Sequence, residues 1–272
     1  MRGRGAVFLI NFVKKFLVLL LSVGCCGSAL ALDAPKVEST RPVNLTPAEA
    51  EAQGRALVAD LLARKPEPVT NTAVLRIRGA DRQQREVQVK FQVCEVPGGV
   101  VTVYEALGTG GTDVGSKLTI VHSDRSASTY SLVEAASAPG GDAKPRELSG
   151  DATMIPFAGS DFWVADLGLE FLHWPKQMLL RREMRRSRPC EVLESTRPAA
   201  SAGYSRIVSW IDVESAGILH ADAYDAKGSL LKQFDPTELQ KVGSERQVRE
   251  IEMRNRQTGS RSAIEYHLGD VK

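Results

Sequence analysis

Polar and apolar residues alternate with a period of two through most of this chain, and that rhythm sets the first expectation. In Thr72–Arg78, Ala73, Leu75 and Ile77 alternate with Arg76 and Arg78. In Arg85–Val93, Val87, Val89, Phe91 and Val93 alternate with Glu86, Gln88, Lys90 and Gln92. Such patterning gives a strand one apolar and one wet face, as in an antiparallel sheet. Gly79-Ala-Asp81 between the two runs reads as a hairpin loop. Further strands are expected at Val100–Ala106, Leu118–His122, Thr129–Val133, Cys190–Leu193, Tyr204–Val213, Gly217–Tyr224, Leu230–Phe234, Arg246–Met253 and Ser262–Leu268. Pro97-Gly-Gly99, Gly108–Gly111, Asp225–Gly228 and Thr258-Gly259 mark turns, and Ser137–Gly150, rich in Pro and Gly, reads as a loop.

Two stretches break the rhythm. Thr46, Pro47 and Glu49 have the spacing of a capping box with proline at the first helical position. Ala52, Ala56, Ala59 and Ala63 follow on one helical face beside Leu57, Leu61 and Leu62, up to Lys65-Pro66. The second stretch, Pro156–Trp174, packs in Phe157, Phe162, Trp163, Phe171 and Trp174 although the whole chain is only 6% aromatic. It reads as a greasy, short helical element capped by Ser160 or Asp161 and stopped by Pro175. From residue types alone, ordinary core packing is the plainer account of it.

Composition adds an address. Residues 1–31 carry Arg2, Arg4, Lys14 and Lys15, an apolar run from Phe16, and Ala29-Leu-Ala31, the pattern of an export signal cleaved after Ala31. The apolar run is short for a membrane span and is diluted by Gly24, Gly27 and Ser28. Val23-Gly24-Cys25 offers a second reading, in which Cys25 is a lipidated N-terminus anchoring the protein to a membrane. Residues 32–45 form a polar, proline-bearing tether, and 46–272 read as one domain. Of 35 basic residues the leader takes four, leaving 31 against 33 acidic, so no nucleic-acid footprint is expected. Beyond the leader stand Cys94 and Cys190, in what would be an oxidising compartment. They are either bridged or two half-buried thiols. No C-x-x-C occurs.

Candidate chemistry is sparse. His122, His173, His220 and His267 are scattered, with no metal-ligand spacing. His122-Ser-Asp124 invites a hydrolase reading that would require convergence with a serine, and no G-x-S-x-G elbow is present. No cofactor and no catalysis are expected. Arg181, Arg182, Arg185, Arg186 and Arg188 form a basic run. It is either a solvated face guarding a strand edge or a contact for anionic headgroups or an acidic partner. Arg206 lies between Tyr204 and Trp210, placed to stack or snorkel.

Four segments carry a resemblance. GSDFWVADL (Gly159–Leu167), SRPCEVL (Ser187–Leu193), YSRIVSWID (Tyr204–Asp212) and YDAKGSLLK (Tyr224–Lys232) are similar in order and spacing to the outer-membrane lipoprotein-sorting (LolA-like) family. Trp163 departs from it, standing where the family has a small residue. The resemblance implies a mainly β (α+β) fold: one curved, half-closed antiparallel sheet of about 10–11 strands around the N-terminal helix and the internal helical segment, enclosing an apolar cavity for acyl chains. It implies a monomeric periplasmic carrier of lipids or lipoprotein acyl chains, working with inner- and outer-membrane lipoprotein-handling proteins. The alternative is an envelope sensor or scaffold on the same fold that binds a protein partner. On this reading Phe91, Phe162, Trp163, Phe171, Trp174 and Trp210 are the expected cavity or lid residues, and Arg181, Arg182 and Arg206 the headgroup or partner contacts.

Overall fold

The computed structural model describes residues 44–66, 68–108, 114–123, 126–134, 144–197, 202–242 and 245–267. The expected export signal with Cys25 and Ala31, the tether up to residue 43, Asp124 and most of the Gly108–Gly111 turn lie outside them.

Thirteen strands form one antiparallel sheet: β1 (Val69–Arg78), β2 (Gln84–Val96), β3 (Gly99–Leu107), β4 (Val114–Ser123), β5 (Thr129–Glu134), β6 (Arg146–Leu148), β7 (Lys176–Arg185), β8 (Arg188–Thr196), β9 (Arg206–Asp212), β10 (Ile218–Tyr224), β11 (Leu230–Val242), β12 (Glu245–Asn255) and β13 (Arg261–Tyr266). The spatial order is β6-β5-β4-β3-β2-β1-β13-β12-β11-β10-β9-β8-β7. Two meanders are therefore joined along β1 and β13, with Ala73 opposite Tyr266 and Leu75 opposite Ile264. The sheet ends at β6 and β7 and does not close into a barrel.

The strand count exceeds the expected 10–11 for local reasons. β6 lies inside the expected loop; three residues with only Leu148 buried are too few to show a period. β7 falls on the basic run, where a register shift between Leu179 and Arg181 breaks the alternation. β11 runs past Phe234 to Val242, because Pro236 sits at a bulge, the one place a central strand accepts proline.

Helix α1 (Pro47–Ala63) has the expected capping box: Glu49 N–H donates to Thr46 Oγ1 at 3.3 Å, and Thr46 N–H to the Glu49 carboxylate at 2.7 Å. Its buried face is a correction. Ala50, Gly54, Val58 and Leu61 are buried, whereas Ala52, Ala56, Ala59 and Ala63 are exposed. Gly54 decides the rotation. A Cβ there would stand 2.5 Å from the Gln177 carbonyl oxygen, so only glycine lets the helix rest on the β7 backbone. Gly54→Ala on a solvated helix would add about 1 kcal/mol of propensity. Here the overpacking, worth about 1–3 kcal/mol, reverses the sign. Urea unfolding of Gly54→Ala is expected to show a lower midpoint, and a higher one would refute this docking.

Cys94 and Cys190 are free thiols, so the candidate bridge is not formed. They sit on β2 and β8, at opposite flanks of the sheet. Cys190 is buried, and burial pushes its thiol up to about 11.

The core sits on the concave face. Ala73, Leu75, Val89, Phe91, Tyr104, Leu118, Ile120, Tyr130, Ile251 and Tyr266 meet Phe157, Phe162, Val164 and Leu167 of the connection between β6 and β7. A second cluster joins Val58 and Leu61 of α1 to Phe171, Leu172, Trp174, Leu193 and Ile207. Because β6 and β7 are the two edges of the sheet, the chain between them has to cross its inside. That crossing is the aromatic stretch.

Candidate functional site

The crossing segment is built from tight turns instead of one capped helix, correcting the expected cap at Ser160 or Asp161. Turns of 3-10 helix at Phe157–Gly159 and Glu170–His173 flank a single α-turn, Val164–Leu167, whose N-cap is Trp163. The Trp163 N–H donates to Asp166 Oδ2 at 2.7 Å, and Phe157 N–H to the Phe162 carbonyl at 2.8 Å. The sheet holds the segment at several points. Arg85 donates to the Ala158 carbonyl at 2.7 Å. Ser260 and Ser262 hydroxyls donate to the Asp161 carboxylate at 2.6 and 2.8 Å. The Gln177 amide donates to the Phe171 and Trp174 carbonyls at 2.9 and 3.0 Å.

Lys232 is a further anchor, a buried charge with 1% of its surface exposed. Its ammonium donates to the Asp161 carbonyl at 2.6 Å, stands 3.7 Å from Asp166 Oδ2, and lies 3.5 Å from the centroid of the Trp163 ring. Trp163 in turn stacks on Tyr204 at 4.5 Å. The Tyr204 hydroxyl donates to Asp166 Oδ2 at 3.2 Å. Burial lowers the Lys232 ammonium to about 8, against the opposing pull of Asp166 and Asp161. Burial likewise raises the Asp166 carboxyl, with Lys232 and the Trp163 N–H acting the other way.

Between this segment and the inner faces of β9 to β12 lies an apolar cavity of about 260 Å³. Phe162, Leu167, Leu169 and Phe171 form one wall. Ile207, Ala221, Ala223, Phe234, Ile251 and Met253 form the other. Asp166, Tyr204 and Lys232 line its inner end. Arg186, Pro236 and Leu239 line the outer end, where Leu239 is 46% exposed and marks the mouth.

The expected site residues divide accordingly. Phe162 and Phe171 line the cavity. Trp163 stands behind its wall, under Lys232. Trp174 is buried in the second cluster with the Arg197 guanidinium 5.3 Å above its ring. Phe91 packs between Tyr104 and Tyr266 in the other half of the sheet, away from the cavity. Trp210 is on the opposite face of β9 from Ile207 and Ile211, edge-on to His220 at 5.0 Å and under Arg185 at 4.8 Å. Its indole N–H donates to Glu183. Arg181, Arg182 and Arg206 pair with Glu183, Glu191 and Glu194 respectively, so the basic run is largely neutralised by its neighbours. Asp166, Tyr204 and Lys232 escaped sequence reading. The one available signal was a lysine in register with the inward-facing Ala223 and Phe234, visible once the strand register is known.

Elsewhere, Ser128 Oγ lies 3.1 Å from His122 Nδ1 and 3.3 Å from His173 Nε2. This trio ties β4 and β5 to the crossing segment and lines no part of the cavity. Burial lowers both imidazoles, His122 to about 4 with His173 adding to the effect. As pH falls from 6.5 towards 4 the unfolded chain takes up a proton on His122 that the folded chain refuses, so stability is present above this window and is lost through it. Folding free energy measured across it should drop on acidification, and His122→Gln should flatten the slope. An identical slope in the variant would rule His122 out as its source. Among the described residues no three His, Cys, Asp or Glu side chains gather to hold a metal, and no helix is long and apolar enough to cross a membrane.

A model for a family described as an uncharacterized protein matches residues 142–271, just under half of the chain. No curated protein matches in sequence. Among solved structures, a DUF1329 family protein from Desulfovibrio piger is similar at 19% identity and a TM-score of 0.65, over 80% of this chain and 92% of that one. A putative outer membrane lipoprotein-sorting protein domain from Vibrio parahaemolyticus is similar at 20% identity and 0.66, over 80% and 91%. A LolA superfamily protein from Nitrosomonas europaea is similar at 17% identity and 0.53, over 82% and 91%. These likenesses are of fold, and the LolA-like fold expected from the four segments is the fold of this chain.

Proposed function

We propose that the protein is an envelope lipid-binding protein, a non-catalytic carrier that shelters an acyl chain of a lipid or lipoprotein on the concave face of its sheet. The observation that supports this reading is the apolar cavity itself, open at Leu239 and walled by Phe162, Phe171, Ile207 and Phe234. Each methylene moved from water into such a space contributes about 0.8 kcal/mol, so capture and release need no reacting group. The leader of residues 1–31 would deliver the chain to the periplasm, with residues 46–272 as the single binding domain. Membrane proteins that handle lipoproteins are the partners this reading calls for. The one fold relative described as a putative outer membrane lipoprotein-sorting protein domain agrees with it.

A second reading has its own observation. The crossing segment fills most of the concavity, and the space left is below the roughly 300–1,000 Å³ of pockets that enclose a drug-sized ligand. A filled sheet suits a scaffold that binds a protein partner on its surface.

Native mass spectrometry of the protein purified from its own envelope separates the two. A co-purifying lipid near one per chain, lost when Ala221→Phe plugs the cavity of a still-folded protein, is expected of a carrier. A clean apo mass, with no uptake from supplied vesicles, would leave only the scaffold.

A further inference from the structure

We infer that the cavity admits one hydrocarbon chain head first, and that the head is a hydrogen-bond donor, a hydroxyl or an ammonium, seated on Asp166. This rests on the lipid-binding reading and specifies its ligand. The shape comes first. The cavity follows β11 from Lys232 through Phe234 and Pro236 to Leu239. The seven residue-to-residue steps between Lys232 and Leu239 span roughly 23 Å. About 260 Å³ drawn out over that length is a slot for a single chain, not for a sheaf of them.

The inner end selects the head. Asp166 Oδ2 receives the Trp163 N–H at 2.7 Å and the Tyr204 hydroxyl at 3.2 Å, with Lys232 at 3.7 Å. Its Oδ1 has no hydrogen-bond partner among the described residues, and Asp166 lines the slot. Both carboxylate oxygens of Asp161, by contrast, are taken by Ser260 and Ser262. Two carboxylates around one ammonium leave the inner end short of positive charge. A methyl terminus pushed against Oδ1 would strip it of water and offer nothing in return, which is costly for a carboxylate. A hydroxyl or ammonium would donate to it, while a carboxylate head would meet like charge.

The mouth offers no competing seat for an anion. Arg186 is matched by Asp235 at 3.3 Å, and Arg188 by Asp212 at 2.8 Å and Glu214 at 2.9 Å. Two guanidinium groups face three carboxylates there, so the attraction for an anionic head is already spent within the protein.

Calorimetric titration of the unaltered protein with decanol, decylamine, decanoate and methyl decanoate tests this, since the four share a chain and differ in head. Decanol and decylammonium are expected to bind about tenfold or more tightly than decanoate and the ester. Asp166→Asn, which removes the charge and keeps an accepting oxygen, is expected to weaken decylammonium more than decanol. Equal affinity across the series, or a preference for decanoate, would overturn the head-first assignment and leave the lipid-binding reading in place. Failure of all four to bind, with no lipid on the native protein, would remove both. Should Asp166→Asn fail to fold, the four-ligand series on the unaltered chain still decides.

Discussion

Lys232→Met is expected to lower the folding free energy by about 3–5 kcal/mol, the scale on which a buried ion pair is felt when one partner is removed. Methionine keeps most of the length and the apolar stem, so the loss isolates the charge. What remains is Asp166 without its ammonium, the Asp161 carbonyl without its donor at 2.6 Å, and the Trp163 face without its cation. The deficit should depend on pH in a defined direction. In the variant the Asp166 carboxyl rises further above its ordinary value, so the folded state binds a proton the unfolded chain does not, and the deficit shrinks as pH falls. Denaturant unfolding of both proteins at neutral and mildly acidic pH checks both points. A Lys232→Met/Asp166→Leu pair should recover part of the loss, because an apolar pair replaces an orphaned charge. A deficit below about 1 kcal/mol would mean that Lys232 contributes little to pinning the crossing segment.

Phe162→Ala should cost a similar 3–5 kcal/mol, and for a different reason. Its ring is buried in the main cluster and at the same time walls the cavity. Deleting it removes contacts with the sheet and opens space that joins the existing slot, so the structure cannot collapse to close it. Two readouts should therefore move together: a lower unfolding midpoint, and uptake of a bulkier apolar ligand. Phe91→Ala, equally buried between Tyr104 and Tyr266, should match the first and leave the second unchanged. If Phe91→Ala altered uptake as much as Phe162→Ala, the cavity would not be the place where the ligand sits.

Much of the architecture was legible because a half-buried strand writes itself as alternation. β1, β2 and the β9–β10 hairpin were read nearly as they stand, and the Thr46–Glu49 cap fixed where the helix begins. The misreadings share a cause: features decided by a distant segment. Nothing local distinguishes the Ala52–Ala63 face of α1 from the Ala50–Leu61 face; the Gln177 backbone chooses, by admitting only Gly54. Trp210 reads as a cavity aromatic because size suggests it, yet the register of β9 turns it outward against Glu183 and His220. Phe162 and Phe171 were found as bulky residues in the segment that crosses the sheet. Lys232 and Asp166 were not, because a charge gives no sign in sequence of being buried until its partners are placed.

The seam between β1 and β13 carries one more consequence. Every other strand pairing in the sheet is between neighbours in sequence, so each meander can zip as a series of short loops. The seam joins Ala73 to Tyr266 and Thr72 to His267, across nearly the whole domain, and its loop-closure entropy cannot be recovered until both partners exist. A chain threaded through a membrane from its N-terminus would thus spend its transit as two unjoined ladders with open edges at β1 and, until β13 follows, at β12. Those edges are hazards for wrong pairing between chains. The last strand to emerge is the one that ends the exposure.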